Sequence, residues 1–396
     1  MSTSAFILIF LFVLCSRAIS EIQVKEFLHG ISRFSGDIFQ RCSESKAGEG
    51  NMVISPFSIS MGLTLLSQGT NGTTFDELRK TLYLNNNKSI VADQFYEFDK
   101  LIRKSAGEAE LLISNQIYVT KGYPLKKEFE EVAVEKFSSG IESVDFGSND
   151  TMQYINHFVE QKTKQKIKNF LKPGMIDEGT RIFLLNAIYL KSKWQYAFKR
   201  KYTYKIRFYL NETESVVVDS LFMEKAPFNF GDLEDLDARV LELTYANSNF
   251  TFLIILPAKR TGLDDLENRL KDYNLTKLFD KMTINNATIH IPKFTVETEI
   301  HLNSILKNLG VIKMFGSAAD LSSFFDAEEP LYVSDVIQKA FIEINEEHTE
   351  AAIASGASAR AKSGEYGFYA DHPFVYYVWD KENQIPILSG HIKNFE

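Results

Sequence analysis

The stretch from Glu346 to Pro373, EEHTEAAIASGASARAKSGEYGFYADHP, is a run of small residues set between two strongly apolar segments. Ahead of it, Val336 to Ile344 alternates like a half-buried strand, and behind it Phe374 to Trp379 and Ile385 to Leu388 are too apolar to face water. Both ends are therefore anchored. Ala, Ser and Gly also make flexible inter-domain linkers, but the chain ends at residue 396, and the residues beyond the run are far too few for an independent domain. The tail must pack back onto the body that precedes it. The run then reads as a tethered excursion, exposed and open to proteases.

Nothing else in the chain reads as a linker or an internal repeat, and a hydrophobic content of 44% with 32 Phe and 17 Tyr is ample for one sizeable core. A net charge of -8 carries no nucleic-acid signature. The basic clusters Lys162, Lys164, Lys166, Lys168 and Lys199, Arg200, Lys201 read as solvated faces, with a heparin-like glycosaminoglycan as the weaker alternative partner.

Ala5 to Cys15, AFILIFLFVLC, is apolar but too short to span a bilayer, and it precedes the small-residue cleavage pattern Ala18-Ile19-Ser20. Residues 1–20 are expected to be a signal peptide and 21–396 one secreted, monomeric domain without a membrane span. Removal of the leader takes Cys15 with it and leaves Cys42 as the only thiol, so no intramolecular disulfide can form. Seven N-glycosylation sequons, at Asn71, Asn87, Asn149, Asn211, Asn249, Asn274 and Asn286, agree with secretion. Asn249 opens the apolar run FTFLIILP and is expected to be poorly accessible.

Val24, Phe27, Leu28, Ile31, Phe34 and Ile38 recur at helical spacing and predict an opening amphipathic helix. Ser55-Pro56 supplies an N-cap hydroxyl and a proline at the first helical position of a second helix, which Gly69 ends. Leu111 to Val119, Phe183 to Leu190, Phe250 to Leu256 and Ala287 to Phe294 read as strands, and Leu302 to Leu309 as a helix stopped by Gly310. Helices dominate the first half and strands the second, which predicts an α+β fold.

The patterns of an enzyme are missing. Gly356-Ala357-Ser358-Ala359-Arg360 lacks the second glycine of a nucleophile elbow, and there is no H-E-x-x-H, C-x-x-C or P-loop. The seven histidines show no metal-ligand spacing and read as surface or structural residues. Neither a metal nor a cofactor is expected, and a secreted hydrolase is the weakest reading.

Four ordered blocks resemble the serpin family. NMVISPFSISMGLTLLSQGTNGTTFDEL (Asn51 to Leu78) is similar to its N-terminal signature, and FLLNAIYLKSKWQYAF (Phe183 to Phe198) to the third strand of its main sheet with the tryptophan beyond. SDVIQKAFIEINEEHTEAA (Ser334 to Ala352) is similar to its fifth strand and hinge, and FYADHPFVYYV (Phe368 to Val378) to its C-terminal signature. The resemblance implies a body of three β-sheets and about nine helices with 346–373 as hinge and reactive-centre loop. It also implies suicide inhibition, in which a serine protease attacks the loop and is trapped as an acyl-enzyme when the loop inserts into the main sheet.

An inserting strand needs one face fit for burial, because strand side chains alternate. Thr349, Ala351, Ile353, Ser355, Ala357 and Ala359 share one parity and carry no charge, whereas Glu350 and Arg360 share the other with Ala352 and Ala354. By the family's spacing the hinge covers Glu346, Glu347, His348, Thr349, Glu350, Ala351, Ala352, Ile353 and Ala354, and the scissile bond lies between Lys362 and Ser363. A lysine there suits a pocket with a carboxylate at its base, as in trypsin-like proteases. Arg360 is the competing bait. The segment from Thr349 to Lys362 would extend roughly 45 Å, enough to carry a protease toward the opposite pole.

Ser55, Ser58 and Asn186 match the family's polar cluster beneath the strands that part, and Trp194 the aromatic at the mouth of the sheet. Two residues depart from the pattern. Gln338 stands in place of a histidine, and its amide can still bond near Asn186. His348 stands in place of a glycine, which restricts the hinge and predicts trapping with imperfect stoichiometry. A non-inhibitory serpin acting as carrier, chaperone or storage protein is the alternative; the absence of charge on the inward parity favours the inhibitor.

Overall fold

The computed structural model describes residues 24–137, 139–325, 331–346 and 367–395. Helix α1, residues 24–43, buries Phe27, Ile31, Phe34 and Ile38, as their spacing predicts. It also encloses Cys42, whose thiol burial pushes up and out of reach of oxidants. Strand β1 (Met52–Ile54) leads into α2 (Pro56–Gln68), whose N-cap is Ser55. All the residues of α2 are buried, which explains why apolar and small residues occupy every side of it. Gly69 ends α2 as expected, but in a right-handed conformation (φ -84°). Space demands the glycine here: a Cβ would lie 1.8 Å from the ring of Phe324.

Four helices, α3 (Gly72–Thr81), α4 (Lys88–Ala106), α5 (Lys127–Phe137) and α6 (Asn149–Lys162), alternate with β2 (Glu110–Thr120) and β3 (Gly140–Val144). The rest is strand-rich: β4 (Ile182–Lys191), β5 (Tyr204–Tyr209), β6 (Ser215–Leu233), β7 (Ala238–Thr244), β8 (Phe250–Pro257), β9 (Thr283–Pro292) and β10 (Phe294–His301) come before β11 (Val333–Ile344). β12 (Gly367–Tyr369), β13 (Phe374–Asp380) and β14 (Ile385–Ile392) close the chain. Short helices α7 (Leu263–Leu270), α8 (Lys277–Lys281) and α9 (Asn303–Asn308) are interspersed, and α9 stops at Gly310 with φ +99°. Among the described residues this makes nine helices in an α+β fold. The single strand expected over Ala287 to Phe294 is the junction of β9 and β10, broken at Lys293.

Among the described residues the strands form two hydrogen-bonded networks rather than three separate sheets. One has five strands in the order β10, β11, β4, β2, β3; the other has nine, β1, β14, β13, β8, β7, β6, β9, β12, with β5 on β6. β6 joins what would be two sheets: its first part pairs with β5 and the end of β9, its second with β7 and the start of β9. The register shifts between Met223 and Ala226, and Lys225 there has φ +50°, so a bulge bends the strand without interrupting its bonding.

The five-stranded sheet is covered on both faces. Val336, Ala340, Ile342 and Ile344 of β11 join the main core with α2, while Ile337 and Phe341 join a second core with Ile155 and Val159 of α6 and with Ile167, Phe170 and Leu171. The expectation of a half-buried strand over Val336 to Ile344 is therefore corrected. Residues 163–181, which link α6 to β4, lie across the far face and bury the alternate residues as well.

Candidate functional site

β4 and β11 are neighbours and run parallel, paired from Val333 with Ile182 to Phe341 with Tyr189, with one register shift between Val333 and Asp335. Parallel strands need a long crossover and bond with less favourable geometry than antiparallel ones. Each of these two is antiparallel to its outer neighbour, β2 or β10. Pairing stops at Phe341 and Tyr189 although β11 runs on to Ile344 and β4 to Lys191, so the strands part at one end. A cavity of about 100 Å³ fills the gap, lined by Tyr189, Leu190, Trp194, Ile342 and Asn345 among others.

Trp194 closes this mouth. Its ring stacks on Tyr245 with centroids 4.8 Å apart, and its Nε1 donates to the carbonyl of Asn345 at 3.0 Å. Next in the chain, the Glu346 carboxylate pairs with Lys293 Nζ at 2.7 Å and accepts from Thr203 Oγ1 at 2.5 Å. The remaining hinge residues, Glu347 to Ala354, and the bait residues Arg360, Lys362 and Ser363 lie outside the described residues. On the far side of that segment, Arg239 donates to the carbonyl of Gly367 at 2.9 Å, and β12 pairs with β9. The two strand ends bracketing the loop are thus both held.

Burial works to raise the Glu346 carboxyl, but the hydrogen bonds from Lys293 and Thr203 outweigh it and hold the group below its ordinary value of 4.5. A carboxyl depressed in the folded state stabilises that state above its unfolded pKa and loses the contribution as pH falls through the folded one. The urea midpoint should therefore drop as pH falls below the ordinary carboxyl value of 4.5, and Glu346→Gln should flatten part of that drop. Identical profiles for both proteins would show that the clamp contributes nothing.

Beneath the middle of the seam lies a polar ladder across three strands. Gln338 of β11, Asn186 of β4 and Asn115 of β2 are direct register partners. Gln338 Nε2 donates to Asn186 Oδ1 at 2.5 Å, and Asn186 Nδ2 donates to Asn115 Oδ1. From α2, Ser58 Oγ donates to Asn186 Oδ1 at 2.7 Å and the Ser58 carbonyl accepts from Asn186 Nδ2 at 2.9 Å. Ser55 N donates to Gln338 Oε1 at 2.9 Å, and Ser55 Oγ to the Ile387 carbonyl at 2.7 Å. Gln338, Asn186, Ser55 and Ser58 are all buried. The amide of Gln338 thus makes the bond to Asn186 that its chemistry allowed. Any strand entering between β4 and β11 must break that bond.

Sequence reasoning found Ser55, Ser58, Asn186, Gln338 and Trp194, and the structure brings the first four together with Trp194 at the open end. It missed Asn115, Lys293, Thr203 and Arg239. Asn115 carried a readable signal, an amide inside the apolar run LLISNQIYV; the other three are joined to the site only by folding. Of the sequons, Asn249 is exposed, contrary to expectation, because it precedes its strand. Among the described residues three sequon amide nitrogens are engaged: Asn71 Nδ2 donates to Ser322 and Ser323, both at 2.8 Å, and its Oδ1 accepts from Lys88 at 2.9 Å, while Asn249 Nδ2 donates to Glu382 at 2.6 Å and Asn211 Nδ2 to Glu214 at 2.7 Å. His290, His372 and His391 are buried structural residues.

Comparison with known proteins agrees with this geometry. The family model described as Serpin (serine protease inhibitor) matches residues 29–395. A Sus scrofa protein named Leukocyte elastase inhibitor is 35% identical over 373 residues, 92% of this chain and 98% of that protein. Alaserpin of Manduca sexta is 32% identical over 365 residues, 91% of this chain and 92% of its own length. The crystal structure of Serpin48 from the insect Tenebrio molitor superimposes with a TM-score of 0.83 at 30% identity, covering 94% of this chain and 98% of that one. With a match spanning nearly the whole chain and a fold shared with solved relatives, this protein belongs to the serpin family.

Proposed function

We propose that the chain is a secreted suicide inhibitor of trypsin-like serine proteases, cleaved after Lys362. The protease serine attacks the Lys362 carbonyl, the Lys362-Ser363 peptide bond breaks, and the Ser363 amine leaves with a proton, so that the ester to Lys362 tethers the enzyme. The parallel pairing of β4 and β11 carries this reading. A chain that leaves β11 at Ile344 and turns back runs antiparallel to both strands, and its entry converts one parallel pair into two antiparallel ones. The lengths agree, since Thr349 to Lys362 provides fourteen residues for a strand, β11, of twelve. Thr349 and its uncharged parity would face α2, and Glu350 would face the side where Lys166 and Glu343 pair.

Relatives are named for leukocyte elastase, but the basic Lys362 directs this chain toward an enzyme with a carboxylate in its primary pocket. Three lysines over the sheet, Lys164, Lys166 and Lys172, are already paired with carboxylates, which leaves less for a glycosaminoglycan to bind. The exposed sequons Asn87, Asn149, Asn249, Asn274 and Asn286 support secretion. The decisive experiment incubates protein from a secretory host with trypsin and, separately, with elastase, then looks for a complex surviving denaturation and sequences the released peptide. A trypsin complex and a peptide starting at Ser363 are expected. A start at Ala361 would move the bait to Arg360, an elastase complex alone would overturn the trypsin-like assignment, and cleavage by both without any complex would leave a non-inhibitory serpin.

A further inference from the structure

Residues 163–181 cross the seam between β4 and β11, and their lysines are distributed over both banks. Lys164 pairs with Glu110 of β2, on the β4 side. Two residues on, Lys166 pairs with Glu343 of β11 at 2.9 Å. Farther along, Lys172 and the buried Lys339 of β11 share Glu299 of β10 at 2.9 and 3.0 Å, and Lys339 also donates to the Asn169 carbonyl at 2.9 Å. The register aligns Glu110 with Lys191, beyond the last paired residues of the seam, so Lys164 and Lys166 clip the two banks together at its open end. The segment is also strained: Lys164, Gln165 and Asn169 hold left-handed conformations, φ +50°, +64° and +48°, without being glycines.

We infer that this segment is an electrostatic latch, whose ion pairs to opposite banks of the seam set how often a cleaved loop inserts before the acyl-enzyme hydrolyses. The inference rests on the suicide mechanism above for its consequence, though not for the latch itself. A strand entering the seam pushes the banks apart by about 4.8 Å, and Lys164 and Lys166 cannot both keep their partners across the wider gap. One pair must release, or the segment must lift, and lifting relaxes the three left-handed residues. The basic cluster that reads in sequence as a solvated face thereby acquires a task. Ile167, Phe170 and Leu171 hold the same segment by apolar contact, and salt separates the two effects: it screens ion pairs and leaves apolar contact intact.

The test uses the full-length protein and two double variants, Lys164→Met with Lys166→Met, and Lys164→Arg with Lys166→Arg. Methionine keeps most of the side-chain stem, and both lysines are at least partly exposed, so folding is retained. Raising sodium chloride from about 0.05 M to about 0.5 M should speed hydrogen exchange of the amides in 163–172 about two- to five-fold in wild type. The methionine variant should exchange fast at both concentrations, and the arginine variant should behave as wild type. With trypsin, the methionine variant should form more complex per loop cleaved, and salt should no longer improve it. Exchange and salt response equal to wild type in the methionine variant would overturn the latch. Altered exchange with an unaltered partition would overturn its role in trapping. If wild type forms no complex while its exchange responds to salt as stated, the latch stands and the suicide reading fails.

Discussion

Replacing Thr349 by arginine is expected to turn the inhibitor into a substrate, raising the number of molecules cleaved per protease trapped at least about ten-fold. Thr349 would be the first residue to enter the seam, at the cavity lined by Leu190, Ile342 and Trp194. The nearby carboxylates, Glu346 and the cavity-lining Glu343, are already committed to Lys293 and Lys166, so a guanidinium drawn inward would be desolvated without a free partner, at a cost of about 3 kcal/mol or more. Each 1.4 kcal/mol added to the insertion barrier slows it about ten-fold, while hydrolysis of the acyl-enzyme continues unchanged. His348→Gly should act in the opposite direction by freeing the hinge. Titrating trypsin with each variant and scoring complex against cleaved protein on denaturing gels measures both; a Thr349→Arg protein that traps as well as wild type would mean that the loop does not enter between β4 and β11.

Asn186→Ala should give the largest loss of stability. Asn186 accepts from Ser58 and Gln338 and donates to Asn115 and the Ser58 carbonyl, all in a buried setting. Truncation takes this partner from the Ser58 hydroxyl, the Ser58 carbonyl and Asn115 Oδ1 without water to replace it, while Gln338 Nε2 keeps its bonds to the Ser55 carbonyl and Ser58 Oγ, both at 3.1 Å. At about 1 kcal/mol or somewhat more for each buried group left unsatisfied, the expected loss is about 3 kcal/mol. On the proposed mechanism β4 and β11 stay closed here until the loop is cut, so the variant should also self-associate on mild warming, when an open seam accepts a strand from a second copy. Urea unfolding followed by circular dichroism reads the first effect and light scattering the second. A midpoint within experimental scatter of wild type would show that the ladder is not what closes the seam.

Much of this was legible in the order of residues, for local physical reasons. α1 follows from the spacing of Phe27, Ile31, Phe34 and Ile38, and the start of α2 from Ser55-Pro56. β4, β8 and β13 are apolar runs that no solvated segment could carry. β6 was not legible, because its nineteen residues change partners at a bulge and show no single alternation. β11 was read as half-buried because its Lys339 and Glu343 look like an outer face; in the fold those charges meet Glu299 and Lys166 under and beside the segment that covers the sheet.

The grouping of Ser55, Ser58, Asn186, Gln338 and Trp194 was implied by the resemblance to the serpin family; by itself the order of residues determined that the run from Glu346 to Pro373 is tethered at both ends and that one parity from Thr349 to Ala359 is free of charge. Those properties depend on side-chain size, charge and spacing along a single strand or helix turn. Only the tertiary structure decided that β4 and β11 lie parallel and part at one end, that Asn115 completes the ladder, that Lys293 and Thr203 clamp Glu346, and that Lys164 and Lys166 reach opposite banks of the seam. Each of these joins groups far apart in the chain, and such pairings are set by the packing of sheets and helices around a common core, which local pattern does not encode.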